Sequence, residues 1–387
     1  AQAARIAGLP VAGLLTEPDA AAWAYGLHAA RAGDDGRAST FMVFDFGGGT
    51  LDVTLMRREP GAKGRARLHA VDSYGVQLGG LALDARIRDA LVAQYAERAG
   101  DTGFTLAAVN EATAERLLEL AEWFKIALNT DAASDPSPTA RVRRKRFTPV
   151  FDADSEGEEV TLELSLGELS RILGGELDRA MACADEALRR ASLTWDALDE
   201  VLLTGGSSLL WALQQRMRER CRVVRVYDDA QHPLNPLTIV AAGAALYGAS
   251  IAGGEAAVPV EMRGVVPDTF SIRAYVADAS QPGGRRAVLH PLVPAGTPTP
   301  YVGRANFAMR GGGRVLPVEV FEGRSEREAT RVGVYQVEFE HELPDGARVE
   351  VRLDVRPNGV LVLGVQDART GATREARLDE APGLYAD

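Results

Sequence analysis

The sequence has little that would cross-link the chain or carry it across a membrane. Its 387 residues include two cysteines, Cys183 and Cys221, which excludes a disulfide framework and fits a reducing compartment. No apolar run reaches the ~20 residues that a helix needs to cross a bilayer, and no charged-then-apolar leader opens the chain. These absences predict a cytoplasmic protein that does not associate with membranes.

An excess of positive charge is also lacking. The 54 acidic residues outnumber the 43 lysines and arginines, for a net charge of −11. That balance argues against a general affinity for nucleic acid, since phosphate backbones are bound by basic faces. One basic run, 141–146, stands beside the acidic stretch 152–159, and its strand-like context favours a solvated hairpin over a nucleic-acid patch.

The first 252 residues alternate strand and helix signals, which predicts an α/β domain over 1–252. A buried strand is expected at 41–46, where the residues are almost all apolar, and one continuous helix is expected over 166–191. A strand over 141–151, which includes the basic run, is expected to pair with a second strand at 158–164.

The character of the sequence changes after residue 252. Residues 253–264 are predicted to be a linker, and 265–387 an antiparallel β domain. Alternating runs such as 332–339, 348–355 and 360–366 are separated by turn formers, including Pro357-Asn358-Gly359 between the last two.

A glycine turn follows the first predicted strand, with the sequence Asp45-Phe46-Gly47-Gly48-Gly49-Thr50-Leu51-Asp52. Its glycines lack Cβ atoms, so backbone N–H groups can approach phosphate oxygens closely. Thr50 can donate its hydroxyl to a phosphate, and Asp45 is placed to hold Mg²⁺ or its waters. The alternative is a hairpin whose aspartates merely flank the turn. The threonine and the two carboxylates favour the phosphate site.

A second motif lies upstream of this turn. It reads Glu17-Pro18-Asp19-Ala20-Ala21-Ala22 and is preceded by Arg5-Ile6-Ala7-Gly8-Leu9. In order and spacing the two motifs resemble the signature of the 70-kilodalton heat-shock chaperone family, a Glu-Pro-x-Ala-Ala-Ala helix followed by Asp-x-Gly-Gly-Gly-Thr. The resemblance implies a partial actin-like α/β ATPase domain followed by an all-β peptide-binding sandwich.

Further segments match the family in the same order and cover nearly all of residues 1–250. Three are glycine-containing turns or helices, namely Leu78-Gly79-Gly80 with Asp84, Leu203-Thr204-Gly205-Gly206-Ser207, and Gly243-Ala244-Ala245. A fourth match is Glu122, Lys125 and Asn129, spaced i, i+3, i+7 along one helix stripe. They stand where the family contacts adenosine.

The resemblance implies that the first domain binds ATP or ADP with Mg²⁺. Asp45 would place the metal indirectly and orient the attacking water, Glu17 would lie near the metal's water shell, and Thr50 would touch the γ-phosphate. Asp52 would add a further carboxylate. The remaining nucleotide contacts would come from Gly47, Gly48, Gly49, Gly79, Gly80, Glu122, Lys125, Asn129, Gly205, Gly206 and Ser207. Arg5 and Pro18 match residues with which the family relays its nucleotide state.

The sequence also departs from the family. The family's first phosphate loop, of the Asp-x-Gly-Thr-Thr type, and its catalytic lysine do not occur here, nor does its helical lid. We therefore expect an N-terminally truncated chain that hydrolyses ATP negligibly by itself. Leu209 stands where the family has an arginine that stacks on adenine, Trp211 where it has a proline, and Leu237-Thr238 where it has Asp-Glu.

The second half resembles the family's peptide-binding domain, which holds an extended peptide by main-chain hydrogen bonds and one apolar pocket. The clearest match is the hairpin Asp354-Val355-Arg356-Pro357-Asn358-Gly359. Candidate pocket residues are apolar, namely Phe270, Ile272, Phe307, Leu316 and Val318. The alternative is that these five residues are ordinary core, as most apolar residues in alternating strands are.

The predicted function is that of a chaperone-like protein. The implied partners are unfolded or extended peptides, a J-domain co-chaperone and a nucleotide exchange factor. Two alternatives remain open. One is a divergent, nucleotide-independent binding module, which Leu209 and Leu237 favour. The other is an actin-like sugar kinase, against which the β domain argues.

Overall fold

The chain divides into two compact units. The mixed unit comprises Ser39–Leu55 and Tyr74–Ala242, and the β-rich unit comprises Ala1–Ala38, Met56–Ser73 and Gly243–Asp387. Arg5, most of the predicted linker and the Pro357-Asn358-Gly359 turn lie outside the described residues, and the predicted domain boundaries stay predictions. The computed structural model describes residues 4, 6–11, 13, 15–31, 38–61, 66–101, 103–130, 141–152, 155–226, 232, 234–252, 260–263, 266, 268–281, 284–323, 327, 329–356 and 361–377.

Helices and strands alternate in the first part of the chain, and strands alone follow. The helices are α1 (Glu17–Arg31), α2 (Gly80–Ala99), α3 (Glu111–Asn129), α4 (Leu166–Ile172), α5 (Gly174–Arg190), α6 (Trp211–Arg220) and α7 (Ile239–Ile251). The first ten strands are β1 (Ser39–Phe46), β2 (Leu51–Pro60), β3 (Ala66–Val76), β4 (Val142–Phe147), β5 (Val150–Asp152), β6 (Ser155–Glu156), β7 (Val160–Ser165), β8 (Glu200–Thr204), β9 (Val224–Arg225) and β10 (Val260–Arg263). The others are β11 (Phe270–Ala277), β12 (Arg285–Val293), β13 (Tyr301–Ala308), β14 (Gly313–Glu322), β15 (Thr330–Leu343), β16 (Arg348–Val355), β17 (Leu361–Asp367) and β18 (Thr373–Arg377).

A six-stranded sheet has the strand order β10-β3-β2-β1-β8-β9. β1 pairs in parallel with β8, in a register that places Phe41 opposite Glu200 and Asp45 opposite Thr204. Nearly every residue of β1 is buried, as expected for a strand that is covered on both faces and therefore reads as a continuous apolar run. The strand predicted at 41–46 is confirmed.

Two helices of the mixed unit, α3 and α4, begin at side-chain caps. The Asn110 side chain accepts a hydrogen bond of 2.9 Å from the Thr113 N–H at the start of α3, and Ser165 and Glu168 form a reciprocal capping box at the start of α4. The single helix predicted over 166–191 is wrong, because Leu173 separates α4 from α5. Gly174 and Gly175 follow it directly, and glycine is a poor helix former.

The basic run forms β4, which pairs antiparallel with β7. Its cations have partners from neighbouring elements: Arg144 lies 2.6 Å from Glu163, and Arg146 lies 3.2 Å from Glu159. The Lys145 ammonium lies 4.4 Å from the centre of the Trp123 ring. The predicted pairing is therefore confirmed for 142–147, with its positive charge opposed by carboxylates and by an aromatic ring. The single strand predicted over 141–151 is wrong, because 150–152 form the separate strand β5, which pairs with β6.

The strands of the β-rich unit that follow β10 form two four-stranded sheets. Their strand orders are β12-β11-β14-β15 and β13-β16-β17-β18. Alternate residues of β16, from Val349 to Val355, are buried, as are Tyr335, Val337 and Phe339 of β15. These side chains belong to one hydrophobic core to which both sheets contribute. The period of two in the sequence thus corresponds to one buried face on each sheet.

Polar and aromatic contacts join the two sheets outside their common core. His341 of β15 lies 3.2 Å from Asp367 of β17, and Arg374 of β18 lies 2.6 Å from Glu340 of β15. On the other side, the rings of His290 on β12 and Phe307 on β13 meet edge to face, with centroids 5.4 Å apart. Side-chain contacts therefore connect β15 with β17 and β18 at one side of the two sheets, and β12 with β13 at the other.

Asp367 is the buried acid of this arrangement, and its pKa supplies a pH test. The Thr370 hydroxyl donates to it at 2.7 Å and the Arg369 N–H at 2.9 Å, and these hydrogen bonds lower its pKa. A depressed carboxylate stabilises the fold above its ordinary pKa, and this stabilisation is lost as the pH falls through the folded-state value.

We therefore expect Asp367→Asn to lower the free energy of unfolding at pH 7 by about 1–3 kcal/mol, the loss of hydrogen bonds to a buried charge. The difference from the wild type should close as the pH falls below about 4, as measured by thermal unfolding from pH 7 to pH 2. Glu342→Gln, at an exposed site on β15, is the control. A stability difference that is constant with pH would contradict the assignment.

Candidate functional site

Two glycine turns of the mixed unit meet at the carboxyl ends of β1 and β8. Because these strands are parallel neighbours, the turn at 47–50 and the turn at 205–208 follow the same edge of the sheet. The Ser207 hydroxyl donates to the Gly47 carbonyl at 2.9 Å. Gly205 has a φ of +79°, and a Cβ there would lie 2.8 Å from Asp45 Oδ1. Glycine is therefore required at 205.

The start of α2 closes against the first turn. The N–H groups of Gly80 and Leu81 donate to the carbonyls of Gly47 and Gly48, at 3.0 and 2.9 Å. At Gly79, a Cβ would overlap the backbone of Gly48. The turn's carbonyl oxygens are thus bound by the helix, and Gly79 is required by the close approach of two backbones.

The glycines of the first turn have no such requirement. A Cβ at Gly48 or Gly49 would meet nothing within 4 Å, and one at Gly47 would lie 3.6 Å from the Thr50 carbonyl oxygen. None of the three has a positive φ. In the part of the chain that the structure describes, the N–H groups of Gly48, Gly49 and Thr50 donate to no protein group. The turn therefore presents open backbone donors, the arrangement that binds phosphate.

The predicted carboxylates lie at different places. Asp45 is buried at the end of β1, with 5% of its surface exposed, and Asp52 is partly buried on β2. Glu17 is exposed and Pro18 buried at the start of α1, in the β-rich unit. Among the described residues, no cluster of three or more His, Cys, Asp or Glu side chains could hold a metal ion.

The stripe predicted on one helix lies on α3. Lys125 reaches the glycine turns, where its ammonium would lie 3.3 Å from a Cβ on Gly80. Glu122 is exposed. The Asn129 amide donates to the Lys125 carbonyl at 2.6 Å, and its oxygen accepts from the Trp211 N–H at 2.7 Å. The Asn129 side chain therefore binds a backbone N–H at the start of α6 that has no partner within the helix. The spacing of the three residues on α3 did not indicate this structural role.

Asp84 is a residue that the sequence reasoning did not place in the site. Its Oδ2 lies 2.7 Å from the Lys125 ammonium, and 4% of the residue is exposed. Burial raises the pKa of Asp84, while the hydrogen bond and charge of Lys125 oppose that rise. The signal was present in the sequence, since Asp84 follows Leu78-Gly79-Gly80 at a fixed distance in a recognised motif.

The candidate peptide-binding residues divide into two groups. Phe270, Ile272 and Val318 are 3–7% exposed and belong to the core that both sheets share. Phe307 and Leu316 are partly buried and pack against that core from its margin. Only the second pair retains surface that a ligand could contact.

A family model described as Hsp70 protein matches residues 1–387, the whole chain. The chain belongs to the Hsp70 family. Heat shock 70 kDa protein 6, chloroplastic, of Arabidopsis thaliana is 27% identical to it over 391 residues, which cover 100% of this chain and 49% of the relative. Chaperone protein DnaK of Elusimicrobium minutum is 28% identical over 390 residues, covering 100% and 57%. The family resemblance read from the sequence motifs is confirmed.

This Hsp70-family chain spans about half the length of the curated relatives that it matches. Stromal 70 kDa heat shock-related protein, chloroplastic, of Pisum sativum shows the same proportion, 49%, at 27% identity. Among the described residues of the chain, no helix is both long and apolar enough to cross a membrane.

Gly79 tests the close approach between α2 and the first turn. We expect Gly79→Ala to lower the free energy of unfolding by about 1–3 kcal/mol, as overpacking does, because the new Cβ would overlap the Gly48 backbone. Gly48→Ala adds its Cβ to open space and should leave stability nearly unchanged. Denaturant unfolding of the two variants measures the difference. Equal stability of the two would disprove the described packing.

Proposed function

We propose that this chain acts as part of a chaperone, in which the mixed unit binds ATP or ADP with Mg²⁺ and the β-rich unit binds extended apolar peptides. The single observation that carries the nucleotide half is the glycine turn at 47–49. Its glycines are not explained by packing or by backbone conformation, and the N–H groups of Gly48, Gly49 and Thr50 are open. Family membership supplies the chemical class of the ligand.

The residues of the turn fit a nucleotide phosphate. A phosphate needs several donors at short range, and a chain without Cβ atoms lets backbone N–H groups supply them. The Thr50 hydroxyl adds one donor beside Gly48 and Gly49. Carboxylates would repel a bare phosphate, so Asp45 and Asp52 are expected near the phosphates only where a cation intervenes.

Mg²⁺, when bound, would neutralise phosphate charge. Asp45, buried at the end of a strand within a rigid sheet, would hold water of the metal in a fixed position, and Asp52 would add a carboxylate. Thr50 would donate to the terminal phosphate. The roles that the resemblance gives to Glu17, Pro18 and Arg5 stay predictions.

The nucleoside would lie toward the second turn, against Gly205, Gly206 and Ser207, with Glu122, Lys125, Asn129, Gly79 and Gly80 nearby. Ser207 is buried, and its hydroxyl donates to the Gly47 carbonyl. This hydrogen bond joins the phosphate half of the proposed site to the nucleoside half. Leu237, 67% exposed, would lie 3.4 Å from a Cβ on Gly206. The base would therefore meet an apolar side chain at this turn.

Nucleotide binding can be tested at Gly49, where alanine fits without strain. We expect Mg-ADP to bind the wild-type chain saturably in isothermal titration, and Gly49→Ala to bind roughly tenfold more weakly or worse, because a Cβ keeps phosphate from the N–H groups. Gly174→Ala is the matched control. A Cβ there also meets nothing within 4 Å, and its affinity should equal that of the wild type.

Two outcomes would count against this half of the proposal. A wild-type chain that binds no Mg-ADP would favour the nucleotide-independent binding module. Unchanged affinity in Gly49→Ala would show that nucleotide binds away from the turn.

The peptide half rests on the two sheets of the β-rich unit. An extended peptide can add main-chain hydrogen bonds at an exposed strand edge, while apolar side chains enter a neighbouring pocket. Phe307 lies on the edge strand β13, and Leu316 lies on β14, opposite Val337 in register. Both pack at the margin of the core, so a leucine-like side chain could contact them. A J-domain co-chaperone and a nucleotide exchange factor are further partners that the family implies.

We expect the full chain to bind a labelled, extended, leucine-rich peptide weakly, as measured by fluorescence anisotropy. Leu316→Asp should weaken binding about tenfold or more, and the milder Leu316→Ala less, because an apolar contact is lost. Val315→Asp is the matched control, since Val315 is 46% exposed and its side chain points to the other face of β14. Thermal unfolding establishes that each variant is folded. Peptide affinity that is indifferent to Leu316 would exclude this pocket.

A further inference from the structure

The ion pair between Asp84 of α2 and Lys125 of α3 is mostly buried. The two charged atoms lie 2.7 Å apart, and 6% of the Asp84 side chain and 12% of the Lys125 side chain are exposed. Burying a pair of charges costs desolvation that their attraction often fails to recover, and apolar residues of similar size commonly stabilise a fold as well or better. The pair therefore requires an explanation other than stability.

The two helices that carry the pair also bury apolar residues. Leu83 and Ile87 of α2 and Leu117, Ala121 and Phe124 of α3 are buried apolar residues, and the helices pack against each other. Burial also raises the pKa of Asp84. Folding therefore disfavours the ionised form of Asp84. The contribution of this residue to stability is present at low pH and is lost as the pH rises through its folded-state pKa.

The position of the pair points to the nucleotide site. The space beside Gly80 is flanked by the Lys125 ammonium and the Ser207 hydroxyl, which would lie 3.3 and 3.2 Å from a Cβ on that glycine. Ser207 already donates to Gly47 in the phosphate turn. The ammonium therefore lies where the two glycine turns and the start of α2 converge.

Some donors and one acceptor of the pair have no hydrogen-bond partner among the described residues. An ammonium has three donors, and in the described part of the chain only Asp84 Oδ2 accepts one of them. The other carboxylate oxygen, Asp84 Oδ1, is buried and makes no hydrogen bond to any described residue. That oxygen can only accept a hydrogen bond, so the unused donors of the pair are those of Lys125. A bound group with its own acceptors would use the remaining donors of Lys125.

We propose that Asp84 is a positioning residue, which holds the Lys125 ammonium beside Gly80 so that its remaining donors face a bound nucleotide. This inference rests on the proposed nucleotide binding and adds the residue that orients one of its contacts. Asp84 would touch no ligand itself. It would act by restricting the lysine side chain through the hydrogen bond that its Oδ2 accepts from the ammonium.

The test measures Mg-ADP affinity of the full chain by isothermal titration for Asp84→Asn, Lys125→Met and the double variant. Each single variant should bind roughly 10- to 100-fold more weakly, the loss of a hydrogen bond to a charged group. Since Asp84 acts through Lys125, the double variant should bind no more weakly than Lys125→Met alone. Asp89→Asn, on the same helix but in the exposed pair with Arg88, should bind like the wild type.

Rescue by the conservative variant separates positioning from a purely structural role. Asp84→Glu keeps a carboxylate beside Lys125, so it should bind Mg-ADP more tightly than Asp84→Asn does. The double variant, which removes both charges, should unfold at a temperature no lower than that of either single variant.

The outcomes are distinguishable. If the wild type binds no Mg-ADP, the proposed function fails and this inference with it. If the wild type binds but Asp84→Asn binds equally well, or if the losses at Asp84 and Lys125 add in the double variant, only the inference is overturned.

Discussion

The parallel pairing of β1 with β8 is the constraint on which the candidate site depends. Neighbouring parallel strands end at the same edge of a sheet, so the turns that follow them must lie together. Asp45 and Thr204 face each other in register, and the hydrogen bond from Ser207 to Gly47 then joins the turns. α2 closes against the first turn through its N–H groups. A shift of one residue in this register would move the second glycine turn away from the first, and the hydrogen bond between Ser207 and Gly47 would be lost.

The glycines at this edge are of two kinds, and the structure distinguishes them. Gly79 and Gly205 are required by the fold, because a Cβ at either would overlap neighbouring backbone. Gly48 and Gly49 have open space where a Cβ would be and no positive φ. Glycine lowers stability by its flexibility in the unfolded chain, so its presence without a packing reason favours a ligand that approaches the backbone. The sequence by itself does not distinguish these two kinds of glycine.

Sequence reasoning succeeded where the determining interactions are local. The buried strand at 41–46 and the hairpin of β4 with β7 follow from periodicity and charge. It failed where distant partners decide. The side chain of Asn129 is bound to Trp211, 82 residues away, and no spacing within α3 indicates that contact. Likewise, the sequence left Ile272 as either a pocket or a core residue, and the structure shows it buried in the core to which both sheets contribute.

The proposed site separates what the backbone does from what side chains do. Phosphate would be held by N–H groups of Gly48, Gly49 and Thr50, which no substitution elsewhere removes as long as the turn keeps its shape. The nucleoside would be held by side chains around the second turn, where Leu209, Trp211 and Leu237 stand in place of the polar, stacking and turn-forming residues of the family pattern. A chain at 27–28% identity to its relatives can therefore retain the phosphate half while its discrimination among bases changes, because the two halves depend on different atoms.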